Sequence, residues 1–192
     1  MEREEIFLPR LFTALEIPGE LGPRLEMLRG RLAGARWIDS ENYHLTLRFV
    51  GDIEAPDADD FVEALSEVWV EPFSLKLSGV GSFGGRKPRA LWVGVEECEP
   101  LMRLQRANER AARQAGLPPE TRNFSPHITL ARLRGAEPGA VANYLSAVGA
   151  FQAEPFLVKQ FVLMSAREGS GGGPYVVEER FPLISPSARK RA

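Results

Sequence analysis

A four-residue phrase occurs twice in this 192-residue chain, and it limits the possible folds more than any other feature. The only two histidines each open it, as His44-Leu45-Thr46-Leu47 and His127-Ile128-Thr129-Leu130, although the chain has just four threonines. The shift of 83 residues from His44 to His127 also carries Glu71-Pro72-Phe73 and Lys76 onto Glu154-Pro155-Phe156 and Lys159. One offset that aligns both a motif and a separate stretch points to a duplicated unit. Each copy is expected to run strand, helix, HxTL strand, helix, strand, with the halves at roughly 10–83 and 89–166 and a closing strand at 175–184. The expected fold class is α+β: two pseudo-symmetric lobes, each a mainly antiparallel sheet backed by helices, facing each other across a central cleft. A single bilobal domain then spans residues 1–184, and 185–192 form a basic flexible tail.

Local patterns fill in the elements. Arg10 to Ile17 is an apolar run of strand length. Leu21, Leu25, Leu28 and Leu32 recur at helical steps, which predicts a helix over Glu20–Ala33. A second helix is predicted over Pro56–Trp69, with Phe61, Leu65, Val68 and Trp69 inward. Glu71–Leu77 alternates as a strand, Gly79–Gly85 reads as a Gly-rich turn, and Arg89–Glu96 reads as a strand. Helices are predicted over Pro100–Ala115 and Pro138–Val148, one or two strands over Phe151–Ser165, a turn at Gly169–Pro174 and a last strand at Tyr175–Ile184.

In the first motif strand, Tyr43 to Val50, alternation sends Leu45, Leu47 and Phe49 one way and His44, Thr46 and Arg48 the other. One face is buried and the other carries chemistry. Two imidazoles and two hydroxyls converging on a cleft form a limited toolkit. An unperturbed histidine titrates at about 6.5, so one copy can accept a proton while the other donates one. Such a pair, set on opposite sides of a phosphorus, drives in-line displacement. Thr46 and Thr129 are placed to bond the non-bridging oxygens, and Arg132 or Arg48 to neutralise the phosphate. A strained cyclic phosphodiester opens without a metal and is the expected substrate. Strict alternation puts Arg132, five residues after His127, on the wrong face; it reaches the cleft only if the strand ends or bulges near Ala131. Arg48 has the right parity.

Composition narrows the alternatives. A formal charge of -2 argues against gripping long nucleic acid by overall charge, but not against a local basic pocket. Cys98 is the sole cysteine, so no intramolecular disulfide forms, and with two histidines an N/S zinc site is hard to assemble. Neither a nucleophile elbow nor a Cys-His signature occurs. The charged start, MEREEIFLPR, offers neither a signal peptide nor a membrane span. The expectation is a cytoplasmic monomer without cofactor or metal.

The sequence resembles the two-histidine (2H) phosphoesterases, most closely the LigT-like RNA 2′,3′-cyclic phosphodiesterases, also called 2′-5′ RNA ligases. The resemblance runs through RLFTALEIP, RWIDSENYHLTLRFVGDI, PRALWVGV, FSPHITLAR and a closing Gly-rich turn before Tyr175. It implies catalysis by His44 and His127, phosphate contacts from Thr46 and Thr129, and help from Arg132. It also implies that His44 is the proton donor to the leaving 3′ oxygen and His127 the proton acceptor from water, giving a 2′-phosphate. The residues themselves leave that direction open. The expected substrates are RNA 3′ ends or short oligonucleotides bearing a 2′,3′-cyclic phosphate. Reversible 2′-5′ ligation, or hydrolysis of other cyclic nucleotides or 2′-5′ oligonucleotides, would use the same cleft. A non-catalytic module that binds a nucleotide or RNA end is the alternative of another class.

Overall fold

Apart from one short extra strand in the first copy, the two copies of the repeat fold into the same series of elements in the computed structural model, which describes residues 7–166 and 173–184. The first copy supplies β1 (Phe7–Glu16), α1 (Gly22–Glu26), β2 (Ala35–Trp37), β3 (His44–Glu54), α2 (Ala55–Ser66), β4 (Phe73–Leu75) and β5 (Leu77–Phe83). The second supplies β6 (Ala90–Val95), α3 (Glu99–Gln114), β7 (His127–Leu133), α4 (Pro138–Val148), β8 (Phe156–Val158) and β9 (Gln160–Ala166), and β10 (Tyr175–Pro182) follows. The expected basic tail at 185–192 and most of the expected turn at Gly169–Pro174 lie outside the described residues.

The offset of 83 holds from the motif strands onward, carrying the starts of β3, α2, β4 and β5 onto those of β7, α4, β8 and β9. In the first strand of each copy it is 78, because Glu16 pairs with His44 and Gly94 with His127. The longer connection through α3 accounts for the difference.

Among the described residues eight strands form one sheet in the order β10-β9-β1-β3-β7-β6-β5, with β2 pairing with β7, and β4 and β8 form a second, two-stranded sheet. The two expected lobes are β10-β9-β1-β3 and β7-β6-β5 with β2, joined where β3 meets β7. The last strand of each copy crosses over: β9 lies beside β1 and β5 beside β6. The crossing segments β4 and β8 pair with one another, Ser74 opposite Leu157, near the pseudo-twofold axis. That axis also runs between β3 and β7, which meet at a single pair, Leu45 with Ile128.

Helices α2 and α3 pack together, and α3 lies against β3. Helix α2 buries Ala58, Phe61 and Leu65, while α3 buries Leu101, Leu104 and Ala111. One large core joins these to Leu45, Leu91, Ile128 and Leu130. The opposite face of the sheet carries a smaller apolar floor of Phe12, Ala14, Val162 and Met164.

Three local expectations are corrected. The helix expected over Glu20–Ala33 is only a 3-10 turn at Gly19–Leu21 plus α1, ahead of the costly Gly30, yet all four stripe leucines are buried. Trp69 is 40% exposed rather than inward, because α2 ends three residues before it and the helical period no longer applies. The Gly79–Gly85 segment is mostly strand β5, and Gly81 serves close approach: a Cβ there would stand 2.3 Å from the Trp92 indole.

Candidate active site

The single Leu45–Ile128 pair fixes the geometry of the site. Both side chains are fully buried on the helix side of the sheet. Continuing this antiparallel pairing by one residue each way sets His44 opposite Thr129 and Thr46 opposite His127, all on the other face. The four are half-buried. Diagonal neighbours in such a ladder are about 7–8 Å apart between Cα atoms. The charge of His127 is felt at His44, and that of Arg132 at both rings.

Each imidazole is fixed in the same way. Nδ1 of His44 lies 2.8 Å from the Asn42 carbonyl and Nδ1 of His127 lies 2.7 Å from the Ser125 carbonyl, two residues back in both cases. A carbonyl only accepts, so both Nδ1 atoms carry a proton and donate, leaving each Nε2 for the cleft. Aromatic walls hold the rings from the side. His44 packs against Phe12 and, edge-on, Tyr175, each with centroids 4.9 Å away, and His127 meets Phe83 edge-on at 4.8 Å. Burial, then the charges of His127 and Arg132, pull the pKa of His44 down to about 4, against its bond to Asn42. Burial and Arg132 lower His127 in the same direction. Both shifts favour the neutral imidazole.

The expected arginines part company, and β-bulges decide which one lies on the face of the histidines. In β3 the partners of Thr13 and Ala14 are Arg48 and Thr46, so Leu47 is an extra residue. In β7 the partners of Leu91 and Trp92 are Ala131 and Thr129, so Leu130 is extra at the matching position. Each bulge reverses the parity of the residues beyond it. Arg132 thus joins the face of His127 and is exposed.

Arg48 goes the other way, and its expected place in the cleft is a mistake of strict alternation. It is 6% exposed on the helix side, where its Nε donates to Glu109 Oε2 at 2.6 Å. Its other nitrogens donate to the carbonyls of Phe49 and Pro118. Phe49, expected to point inward with the leucines, is instead 42% exposed and pairs with Phe12 on the cleft face, at the position equivalent to Arg132. One cation and one aromatic ring therefore stand at symmetry-related places.

Asn42 was also missed from the sequence. It is 8% exposed; its carbonyl holds His44 and its Oδ1 accepts the Tyr175 N–H at 3.1 Å, tying the start of β10 to the histidine that Tyr175 covers. Gly173 is at φ +95 against the Asn42 side chain, where a Cβ would fall 2.3 Å away. Only the spacing of Asn42 two residues before His44 hinted at such a role. Among the described residues no group of three or more His, Cys, Asp or Glu gathers as a metal site, and no helix is long and apolar enough to cross a membrane.

A protein-family model described as LigT like phosphoesterase matches the chain twice, over residues 15–92 and 93–175. The RNA 2′,3′-cyclic phosphodiesterase of Archaeoglobus fulgidus is 31% identical over 163 residues, 80% of this chain and 92% of that protein. The protein of the same name from Aquifex aeolicus is 31% identical over 153 residues, 77% and 81% of the two chains. The crystal structure of E. coli LigT complexed with 3′-AMP superposes with a TM-score of 0.76 at 25% identity, covering 93% of this chain and 99% of that one. A crystal structure from Thermus thermophilus shares the fold, with a TM-score of 0.74, 24% identity and 91% and 97% coverage. With a model that recognises both halves and relatives aligned across most of its length, the chain belongs to the LigT-like phosphoesterase family.

Proposed function

We propose that this protein hydrolyses RNA 2′,3′-cyclic phosphate ends to 2′-phosphomonoesters, with His44 and His127 as a general acid and base. The observation that carries it is the Leu45–Ile128 pair, which puts two identically tethered imidazoles, each presenting Nε2, on one face of the sheet. The activity is the one for which the aligned relatives are named.

His127, the less strongly perturbed ring, takes a proton from water through Nε2 as the water oxygen bonds to phosphorus. The P–O3′ bond breaks, and His44 delivers its Nε2 proton to the departing 3′ oxygen. That donor must be protonated on both nitrogens, which the bound phosphate makes possible. A unit negative charge about 4 Å away at an effective dielectric of about 20 contributes about 4 kcal/mol, enough to raise an imidazole's pKa by about three. The same charge acts on His127, and repulsion between the two rings leaves room for one added proton between them, which this scheme places on His44. Thr46 and Thr129 hold the non-bridging oxygens, where charge accumulates. Arg132 neutralises the phosphate and Phe49 offers its ring to the base. Each proton transfer in this scheme has a histidine of the chain as one partner, the acceptor from water or the donor to the 3′ oxygen, so the scheme uses no metal. Both histidines come from one polypeptide, so a monomer in the cytoplasm suffices.

A short RNA ending in 2′,3′-cyclic phosphate, incubated with the protein in excess chelator, is expected to yield the 2′-monoester, identified by ³¹P NMR. Loss of activity in chelator, or a 3′-monoester product, would contradict the scheme.

A further inference from the structure

The pseudo-twofold axis relates the two motif strands but not the residues that flank them. On the cleft face, β1 sets Glu16 beside His44 and Phe12 beside Phe49, whereas β6 sets Gly94 beside His127 and Ala90 beside Arg132. One flank is filled by a carboxylate and a ring; the other offers only glycine and alanine. The charges divide in the same way. Strands β1, β3, β9 and β10 hold the five carboxylates of Glu16, Asp52, Glu54, Glu178 and Glu179, whereas β2, β5, β6, β7 and the β5–β6 hairpin hold none. That hairpin carries Arg86 and Lys87 exposed at its tip. It is closed by the Arg89 N–H donating to the Phe83 carbonyl at 2.8 Å and the Lys87 N–H donating to the Gly84 carbonyl at 3.0 Å. Among the described residues no carboxylate pairs with Arg86, Lys87 or Arg132. Phe83, at the start of the hairpin, is 37% exposed with its ring 4.8 Å from that of His127. In a chain of formal charge -2, an open, acid-free flank that ends in cations fits a polyanion.

We propose that the RNA strand 5′ of the cyclic phosphate leaves the histidines over β6, with a base resting on Phe83 and the next phosphates meeting Arg86 and Lys87. This rests on the cyclic-phosphate hydrolase reading and specifies the surface that takes the rest of the RNA. A base that stacks on Phe83 must be unpaired, so the partner is a single strand. Stacking tolerates any base, and cations on phosphates carry no sequence information. From Phe83 to Lys87 is at most about 14 Å of chain, within reach of a short strand. A mononucleotide has no second phosphate to place there. On the opposite flank the same strand would meet Glu16, whose carboxylate already accepts from Gln160 and Arg180.

The test compares a nucleoside 2′,3′-cyclic monophosphate with a pentanucleotide ending in 2′,3′-cyclic phosphate. Replacing both tip cations, Arg86→Gln with Lys87→Gln, is expected to lower kcat/KM about tenfold for the pentanucleotide and less than about twofold for the mononucleotide, as for two exposed charge contacts. The dependence of log kcat/KM on log salt for the pentanucleotide is expected to flatten by about 1.4, at about 0.7 for each single-strand phosphate contact. Phe83→Leu also alters the wall of His127 and is expected to lower both substrates, the pentanucleotide about tenfold more for its lost stacking. Equal losses on the two substrates in either variant, or a salt slope that the double replacement leaves unchanged, would overturn this path for the strand. Wild-type protein that turned over neither substrate would instead sink the hydrolase reading itself.

Discussion

Replacing His44 or His127 by alanine is expected to lower kcat/KM for a cyclic-phosphate RNA end by about a hundred- to ten-thousandfold, the range for losing a positioned general acid or base. The double replacement should cost little more than either single one, because acid and base act in one displacement. The geometry makes the result interpretable. Each ring is half-buried on the cleft face, hydrogen-bonded to a backbone carbonyl, and outside the main core. Either alanine variant is thus expected to unfold in urea at the wild-type midpoint with the wild-type slope, so lost activity reports chemistry and not folding. Losses that multiply in the double variant, or a histidine that proves dispensable, would mean that the two rings do not serve one phosphate.

Arg48→Met is expected to act on stability instead, lowering it by about 3–5 kcal/mol, the usual cost of breaking a buried ion pair from one side. The substitution strands Glu109, whose Oε2 accepts from Arg48 at 2.6 Å, and removes the donor to the Pro118 carbonyl. Glu109 keeps only weaker partners, the Glu120 N–H at 3.3 Å and Arg113 at 3.6 Å. Urea unfolding should show a lower midpoint at unchanged slope. Replacing Glu109 by Leu as well should recover much of the loss, since an apolar pair of similar size leaves no stranded charge. At a temperature where the variant is folded, its kcat should stay near wild type; a collapse of kcat with no loss of stability would return Arg48 to the cleft.

Much of the fold was legible because duplication checks itself. The offset joining the two motifs also predicted the Glu71 and Glu154 segments, and β4 and β8 begin at its two copies of Phe, Phe73 and Phe156. The helix at Pro138–Val148 matches its expected bounds because a proline starts it and a glycine follows it. The exchange of β5 and β9 was not legible. Strand patterns state which face is buried but not which neighbour a strand pairs with, and the crossing is set by long-range packing. At the site, periodicity found His44, Thr46, His127 and Thr129 but mistook what lies beyond the third residue of each motif. The extra residues Leu47 and Leu130 are ordinary buried leucines, and nothing in their identity marks a bulge. That omission exchanged Arg48 for Phe49 and cast doubt on Arg132.

The most direct test of the central claim uses the fact that this chain has only two histidines. Their imidazole NMR signals can be followed through a pH titration, first in free protein and then with a nucleoside 2′-monophosphate. Free protein is expected to show His44 titrating near 4 and His127 below its ordinary value. With ligand, both pKa values should rise together, along one saturable curve of one ligand per chain. If only one ring responds, or if the two follow separate affinities, the histidines do not share a phosphate.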